Sequence, residues 1–392
     1  MLCALTQNLA FGILYGSFGP LLPSTVERFG VSLVTATMAM SMATLAIGAS
    51  APLIGIVVQR LSAGAAMTIA AALSACCYGM IAITPSFTVV MACYAILGVC
   101  GVTMGVIGPL TLVNQSISTN RGKMLGLIHM PILLMTAPVV IAEAFPALGR
   151  TGVLLAVAAL FLLIAPVIWW QTRGLSPAAQ VGQPAPADRR ADAIPPGGVG
   201  RRGLALVLVS LAIAIIAGGA VVYMAHIVPF GLSRGMTLPV AALLISLFSG
   251  FGILGSPVAG WLCDRLGPYW TLVGATLAIA TLWLALPNLD SAFIFVGASL
   301  LGFFAAPINT LHAAAVSSLY APDEVGKAMG MSYLIKLPLI FGMAPLVALA
   351  VDHFGSYGEA FGILAVITAG GAVLCGAAMI VVRSGPRTAQ AT

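Results

Sequence analysis

Charge is what this sequence has least of. Its 392 residues include 16 Lys or Arg and 10 Asp or Glu, 7% in all, where a soluble domain carries about 25%. A chain this poor in charge and 60% hydrophobic has too little polar surface to face water on every side. That leaves the lipid bilayer as its solvent. Acid is scarcer still within the apolar runs: Glu143 and Asp352 fall near segment ends, and no Asp or Glu reaches a midspan. A cationic cargo, which needs a buried carboxylate to meet it, is disfavoured by that gap. HExxH, GxSxG and carboxylates paired at depth are missing, which argues against an intramembrane enzyme; GxxxxGK[ST] is missing too, which argues against a nucleotide-driven device. The seven cysteines (Cys3, Cys76, Cys77, Cys93, Cys100, Cys263 and Cys375) contain no CxxC pair. They read as small buried hydrophobes, and neither a metal centre nor another cofactor is expected. Basic residues are scattered without forming a patch, so nucleic acid is not an expected partner. Met1–Leu22 lacks a basic n-region and reads as a first span rather than a cleavable signal.

What is abundant is apolar sequence of bilayer length. Segments near 3–25, 33–58, 63–83, 88–114, 122–145 and 150–170 are followed by a second set near 203–229, 236–262, 268–287, 292–319, 325–351 and 357–382. Twelve runs of about 20 residues or more predict an all-α membrane protein with twelve transmembrane helices. Between the sets, 171–202 is rich in Pro, Gly, Ala and Arg and cannot bury a core, so it is expected to be a linker. The expected organisation is a six-helix bundle over 1–170, the linker, and a second six-helix bundle over 203–392. With the N-terminus inside, twelve of the Lys and Arg residues fall in inner loops, linker and tail, and three (Arg28, Arg150 and Arg234) fall in outer loops. That asymmetry predicts cytoplasmic termini in a plasma membrane or cell inner membrane.

An internal repeat supports the two sets. APLIGIVVQRLS (Ala51–Ser62) matches SPVAGWLCDRLG (Ser256–Gly267) at an offset of 205, and RGKMLGL (Arg121–Leu127) matches VGKAMGM (Val325–Met331) at 204. PILLMTAP (Pro131–Pro138) matches PLIFGMAP (Pro338–Pro345) at 207. Two parallel six-helix repeats joined by an inner linker define the major facilitator architecture.

The motifs carry the resemblance further. SPVAGWLCDRLGP is similar to the major facilitator loop signature G-x-x-x-D-R-x-G in Gly260, Asp264, Arg265 and Gly267. The resemblance implies an Asp264–Arg265 latch that gates the cytoplasmic side. The first-half copy departs from it, with Gln59 for the aspartate and Ser62 for the last glycine. FGILYGSFGPLLP (Phe11–Pro23) and VVYMAHIVPFGLSRGMT (Val221–Thr237) resemble the monocarboxylate and oxalate–formate branch. MGMSYLIK (Met329–Lys336) is similar to the eleventh-helix run of oxalate–formate antiporters, where a lysine binds carboxylate. The arginine that the branch carries in its eighth helix is missing from 241–263, so a two-cation dicarboxylate clamp is not expected.

Lys336 stands about eleven residues inside its apolar run with no acid within ten positions. At about 1.5 Å per residue it lies ~16 Å from the helix start, where a lysine costs roughly 2.5–3.5 kcal/mol. It is expected to bind an anionic substrate from a water-filled cavity; snorkelling is the plain alternative. His129 aligns with Lys336 at the offset of 207, each two residues before a proline, and offers a second donor or a proton carrier, or else a carbonyl-bonded histidine. His226, with Tyr223 one turn back, suits proton-linked gating or an interfacial pair. Asn309 and His312 share a face and suit either substrate binding or helix–helix hydrogen bonds. Tyr15, Ser17, Asn114 and Tyr333 are weaker candidates, Tyr333 being placed to orient the ammonium of Lys336. Seventeen methionines raise copper(I), but Met38, Met40 and Met42 alternate and cannot share a helix face. The expected function is secondary transport of a small organic anion, a monocarboxylate above all, by proton symport or anion exchange in a monomer. A proton-driven exporter, a copper importer and a non-transporting sensor stand as alternatives.

Overall fold

In hydrocarbon each backbone N–H and C=O must find its partner within the segment, so a chain this apolar folds as helices. The computed structural model describes residues 1–116, 128, 130–174, 199–320 and 324–383, and no strand occurs among them. Ten helices each cross once: α1 (Leu2–Phe29), α2 (Leu33–Leu61), α3 (Ala63–Ile83), α4 (Phe87–Val113), α7 (Val199–Ser233), α8 (Leu238–Leu266), α9 (Pro268–Ala285), α10 (Ala292–Ser317), α11 (Val325–Phe354) and α12 (Tyr357–Arg383).

The eleventh long helix is double. Ile132–Thr172 has 41 residues, ~60 Å of helix against a core about 30 Å thick. Gly149, at φ 61° and ψ 178°, interrupts it. Arg150 Nη1 reaches the Ile81 carbonyl at the end of α3, whereas Thr172 abuts Gly64 at its start. The second limb therefore runs antiparallel to α3, and the chain turns back at Gly149. Limbs 132–148 and 150–172 are α5 and α6, which brings the crossings to twelve.

Arg150 departs from its expected place among loop charges. It is only 8% exposed, with its guanidinium 5.2 Å from the Phe29 ring centre. Nη1 donates to the Ile81 carbonyl at 3.3 Å, and Nε has no hydrogen-bond partner among the described residues. The last carbonyls of α3 are free of intrahelical partners and carry the negative end of the helix dipole, so the turn draws the cation inward.

Small residues set the helix crossings. A side chain at Gly98 of α4 would meet the Ala43 carbonyl of α2, one at Gly255 of α8 the Phe303 carbonyl of α10, and one at Gly302 of α10 the Phe248 carbonyl of α8. Without a hydrophobic force between helices in lipid, close backbone approach supplies the packing. The first six helices meet the last six along α1 with α7, α2 with α11, and α5 with α8. Gly19 lies against the Met224 carbonyl, and Gly48 receives the Leu337 side chain. Coverage along these helices is uneven. Ala36, Ala39, Met40 and Ala43 of α2 are buried, yet Leu53, Ile56, Val57 and Leu61 nearer the linker are exposed. In α8, Ala241, Ala242, Leu244, Ile245 and Phe248 are buried, whereas Leu243, Leu254, Val258 and Trp261 along one face are exposed.

Repeat-equivalent loops share an unusual backbone. Ser62, between α2 and α3, has φ 86° and ψ 149°, and Gly267, 205 positions on between α8 and α9, has φ 82° and ψ 159°. That region belongs almost wholly to glycine, and a side chain there costs about 1–3 kcal/mol. Ser62 recovers part of the cost by accepting a hydrogen bond from Ala65 N. Replacing a serine cap by glycine loses only a few tenths of a kcal/mol. Ser62→Gly is expected to raise the melting temperature of the purified protein by about 1–3 °C and Gly267→Ala to lower it. Thermal unfolding in detergent measures both, and a lower value for Ser62→Gly contradicts the strain.

Candidate functional site

Lys336 is the twelfth residue of α11. The lysine is buried, 3% exposed, and its ammonium neither leaves for water nor meets a carboxylate among the described residues. Nζ lies 3.2 Å from His312 Nδ1 of α10 and 3.8 Å from the centre of the Tyr333 ring. Tyr333 is 45% exposed, so the face of the ammonium that it covers is the one nearest open space. The two contacts are a charge-assisted hydrogen bond and a cation–π interaction.

The line of contacts continues from His312. Its Nε2 lies 2.7 Å from Ser332 Oγ of α11, and Ser332 Oγ lies 2.7 Å from Ser210 Oγ of α7. Ser210 donates to the Leu206 carbonyl at 2.6 Å. All four side chains of this line are buried. Counting protons orients it. An ammonium has only donors, so Nδ1 accepts and Nε2 carries the ring hydrogen. Ser332 accepts from Nε2 and from the Ser210 hydroxyl, which also reaches the Leu206 carbonyl. The histidine is thereby neutral, and its tautomer is set by the ammonium at Nδ1.

Helix geometry explains the convergence. Ser332 precedes Lys336 by four residues and shares its face of α11, with Tyr333 one turn back beside them. Pro307 interrupts α10 just before Ile308–Ser317, which restarts the helix at the level of α11. Ser210 is a lone hydroxyl in an apolar stretch of α7. Ser332 and Ser210 are site residues that the sequence reading passed over. The i, i+4 spacing to Lys336 marks Ser332, whereas nothing local marks Ser210.

The remaining candidates sit elsewhere. Asn309 is exposed while His312 is wholly buried, so the two do not act on one surface. His129 lies outside the described residues. Its neighbour Met130 accepts at 2.9 Å from Asn8 Nδ2, and Asn8 Oδ1 accepts at 2.9 Å from Leu133 N. Asn8 thus caps α5 from α1. It opens a π-helical stretch, Asn8–Ile13, whose Phe11 ring fills the space beside Gly105 in a second such stretch, Thr103–Ile107. Tyr15, half-buried, stacks on Phe11 at 6.1 Å. Asn114 belongs to the helical stretch Gly108–Ser116, and Ser17 Oγ is buried without a hydrogen-bond partner among the described residues.

His226 and Tyr223 are both buried and face different neighbours. His226 Nε2 lies 3.0 Å from the Ala344 carbonyl of α11, and Nδ1 lies 3.5 Å from Tyr357 Oη at the start of α12. Tyr223 donates to the Leu244 carbonyl of α8 and stacks on Phe248. Asp264 and Arg265 are exposed at the linker end of α8, with Arg265 4.3 Å from the Trp261 ring centre.

Known proteins resemble this chain in part. Monocarboxylate transporter 12 of Rattus norvegicus is 27% identical over 179 residues, covering 44% of this chain and 35% of the relative. The Homo sapiens protein of the same name is 27% identical over 179 residues, with 44% and 33% covered. Aspyridones efflux protein apdF of Emericella nidulans is 29% identical over 156 residues, covering 38% of the chain and 32% of the relative. The aligned part spans about a third of the length of these curated relatives. The profile of the Major Facilitator Superfamily matches residues 4–286 and 207–392. With twelve crossings and a match over nearly the whole of its length, the chain belongs to the Major Facilitator Superfamily.

Proposed function

We propose that this transporter moves a small organic anion, a monocarboxylate above all, with Lys336 as the group that holds the carboxylate. One observation carries the reading: a buried ammonium meets only a neutral imidazole and an aromatic face, and no protein carboxylate balances it among the described residues. Two of its three N–H groups are left for a solute. An anion at that point supplies the missing charge, and an empty site keeps the lysine solvated by weak partners alone. With a single buried cation at this level among the described residues, one carboxylate is matched and a second is not. The name of the monocarboxylate transporter relatives supports the substrate class.

Alternating access would bring the solute from the linker end, past Tyr333, to Lys336. The two helix sets, 1–170 and 203–392, would rock about α1 with α7, α2 with α11, and α5 with α8. His129 stands as a donor from the first set. His226, which ties α7 to α11, stands as a gate on the side away from the linker, and Asp264 with Arg265 as the latch on the linker side. Both termini would lie in the cytoplasm of a cell bounded by the membrane that holds the protein. A second reading, export of an anionic or neutral metabolite, draws on the efflux relative from Emericella nidulans. It uses the same site with the opposite direction of flux.

Removing a charge-assisted hydrogen bond costs about 1.5–3 kcal/mol, which is roughly 10- to 100-fold in affinity. Lys336→Ala is therefore expected to lower carboxylate counterflow into proteoliposomes by at least tenfold. Lys336→Arg keeps the charge and is expected to fall between the two. Wild-type rates in the alanine variant would end the assignment. Tyr333→Leu removes the ring from the ammonium, worth about 0.5–2 kcal/mol. It is expected to change the apparent affinity several-fold and leave protein yield intact; unchanged kinetics would remove Tyr333 from the site.

A further inference from the structure

The pairing of Lys336 with His312 bears on how transport is coupled, and the following rests on Lys336 being the carboxylate anchor. Nζ and Nδ1 are 3.2 Å apart, and both residues are buried. Two positive charges at that separation and so little solvation repel strongly, so the empty pair holds one charge, on the lysine. The other ring nitrogen is committed, because with Nδ1 accepting from the ammonium Nε2 carries the hydrogen and donates it to Ser332. Any further proton on this histidine has one place to go, Nδ1, the atom that faces the ammonium.

We propose that His312 takes up the coupled proton on Nδ1 when a carboxylate binds Lys336, so that anion and proton enter together. The exchange balances. In the empty site Lys336 carries +1 and His312 none. The arriving carboxylate adds −1 and takes the ammonium N–H that had pointed at Nδ1. The vacated lone pair accepts one proton from water, and the new Nδ1–H donates to the same carboxylate. The loaded site holds +1, +1 and −1, which is the charge of the empty one. No covalent bond to the solute forms or breaks. By linkage, proton and anion each tighten the other's binding by the same factor.

The surroundings allow this assignment. The restarted limb of α10 packs against α7, α8, α9 and α11. The titratable groups that these bring toward it are Lys336 and Tyr333 of α11, Cys263 of α8, and Tyr269 of α9, whose Oη lies 3.4 Å from Ser318 Oγ. Helix α7 contributes Ser210, with Arg201 and Arg202 two turns earlier. No carboxylate among the described residues contacts the pair to take the proton in its place. Ser332 is a positioning residue: it holds Nε2 at 2.7 Å and so keeps Nδ1 turned toward Lys336.

Calorimetric titration of the purified full chain with lactate, acetate and benzoate, in two buffers of different ionisation enthalpy, counts protons taken up per anion bound. About one proton per anion is expected for the wild type. His312→Gln cannot add a proton; it is expected to bind the anion several-fold more weakly, with an uptake near zero, and to lose accumulation driven by a pH gradient. Ser332→Ala frees the ring and is expected to shift the pH dependence of binding while leaving binding at its best pH within several-fold. Wild-type binding without proton uptake, or full uptake in His312→Gln, would overturn the coupling role and leave Lys336 as anchor. No binding of any of these anions by the wild type, or equal binding by Lys336→Ala, would instead sink the anchor and the coupling with it.

Discussion

An ammonium group in the hydrocarbon layer must be compensated, and in this protein the compensation is neutral. Lys336 rests on an imidazole lone pair and a phenol ring, with no opposite charge in contact among the described residues. Such a site is tolerable because each weak partner is itself held: His312 by Ser332, Ser332 by Ser210, and Ser210 by a backbone carbonyl. A full salt bridge would stabilise the lysine better and would also occupy it. The arrangement leaves the cation underused. The same economy concentrates the polar groups of three helices, α7, α10 and α11, on one line.

The rest of the fold serves to keep that line at depth while the helices around it can shift. Glycines at the α2–α4 and α8–α10 crossings bring backbones close enough for dispersion to hold them. Between the two helix sets, a glycine meets a large side chain, as Gly48 meets Leu337 beside the buried lysine. Contacts of this knob-and-notch kind resist interpenetration but break without unpairing backbone groups. Strain is placed at the loops, in Ser62 and Gly267, and the π-helical stretches of α1 and α4 lie together around Phe11. Arg150 pins the far end of α3 and α6, away from the linker.

Much of this was legible in advance. Apolar runs of bilayer length and the repeat near 205 led to twelve crossings, although α5 and α6 join as one 41-residue run. The depth of Lys336 and the shortage of acid around it were also visible. Its partner was not. His312 is 24 positions away, in a helix interrupted at Pro307, and no periodicity relates residues on different helices. Pseudo-symmetry pointed to His129, which lies outside the described residues, and gave no sign of His312. Asn309 and His312 both follow Pro307 in one helical limb, three positions apart, yet Asn309 is exposed and His312 enclosed. Arg150 looked like a loop charge because a sequence cannot show that a tight turn lays it across free carbonyls.

The sequence by itself determined the solvent of this protein, the number of its crossings and the presence of a lone cation near midmembrane, because hydropathy and length are local properties that lipid reads directly. Only the tertiary structure decided which groups share that cation and which nitrogen of His312 faces it. Those depend on how helices distant in sequence are rotated and crossed, and that is set by close packing at small residues rather than by any segment's own composition.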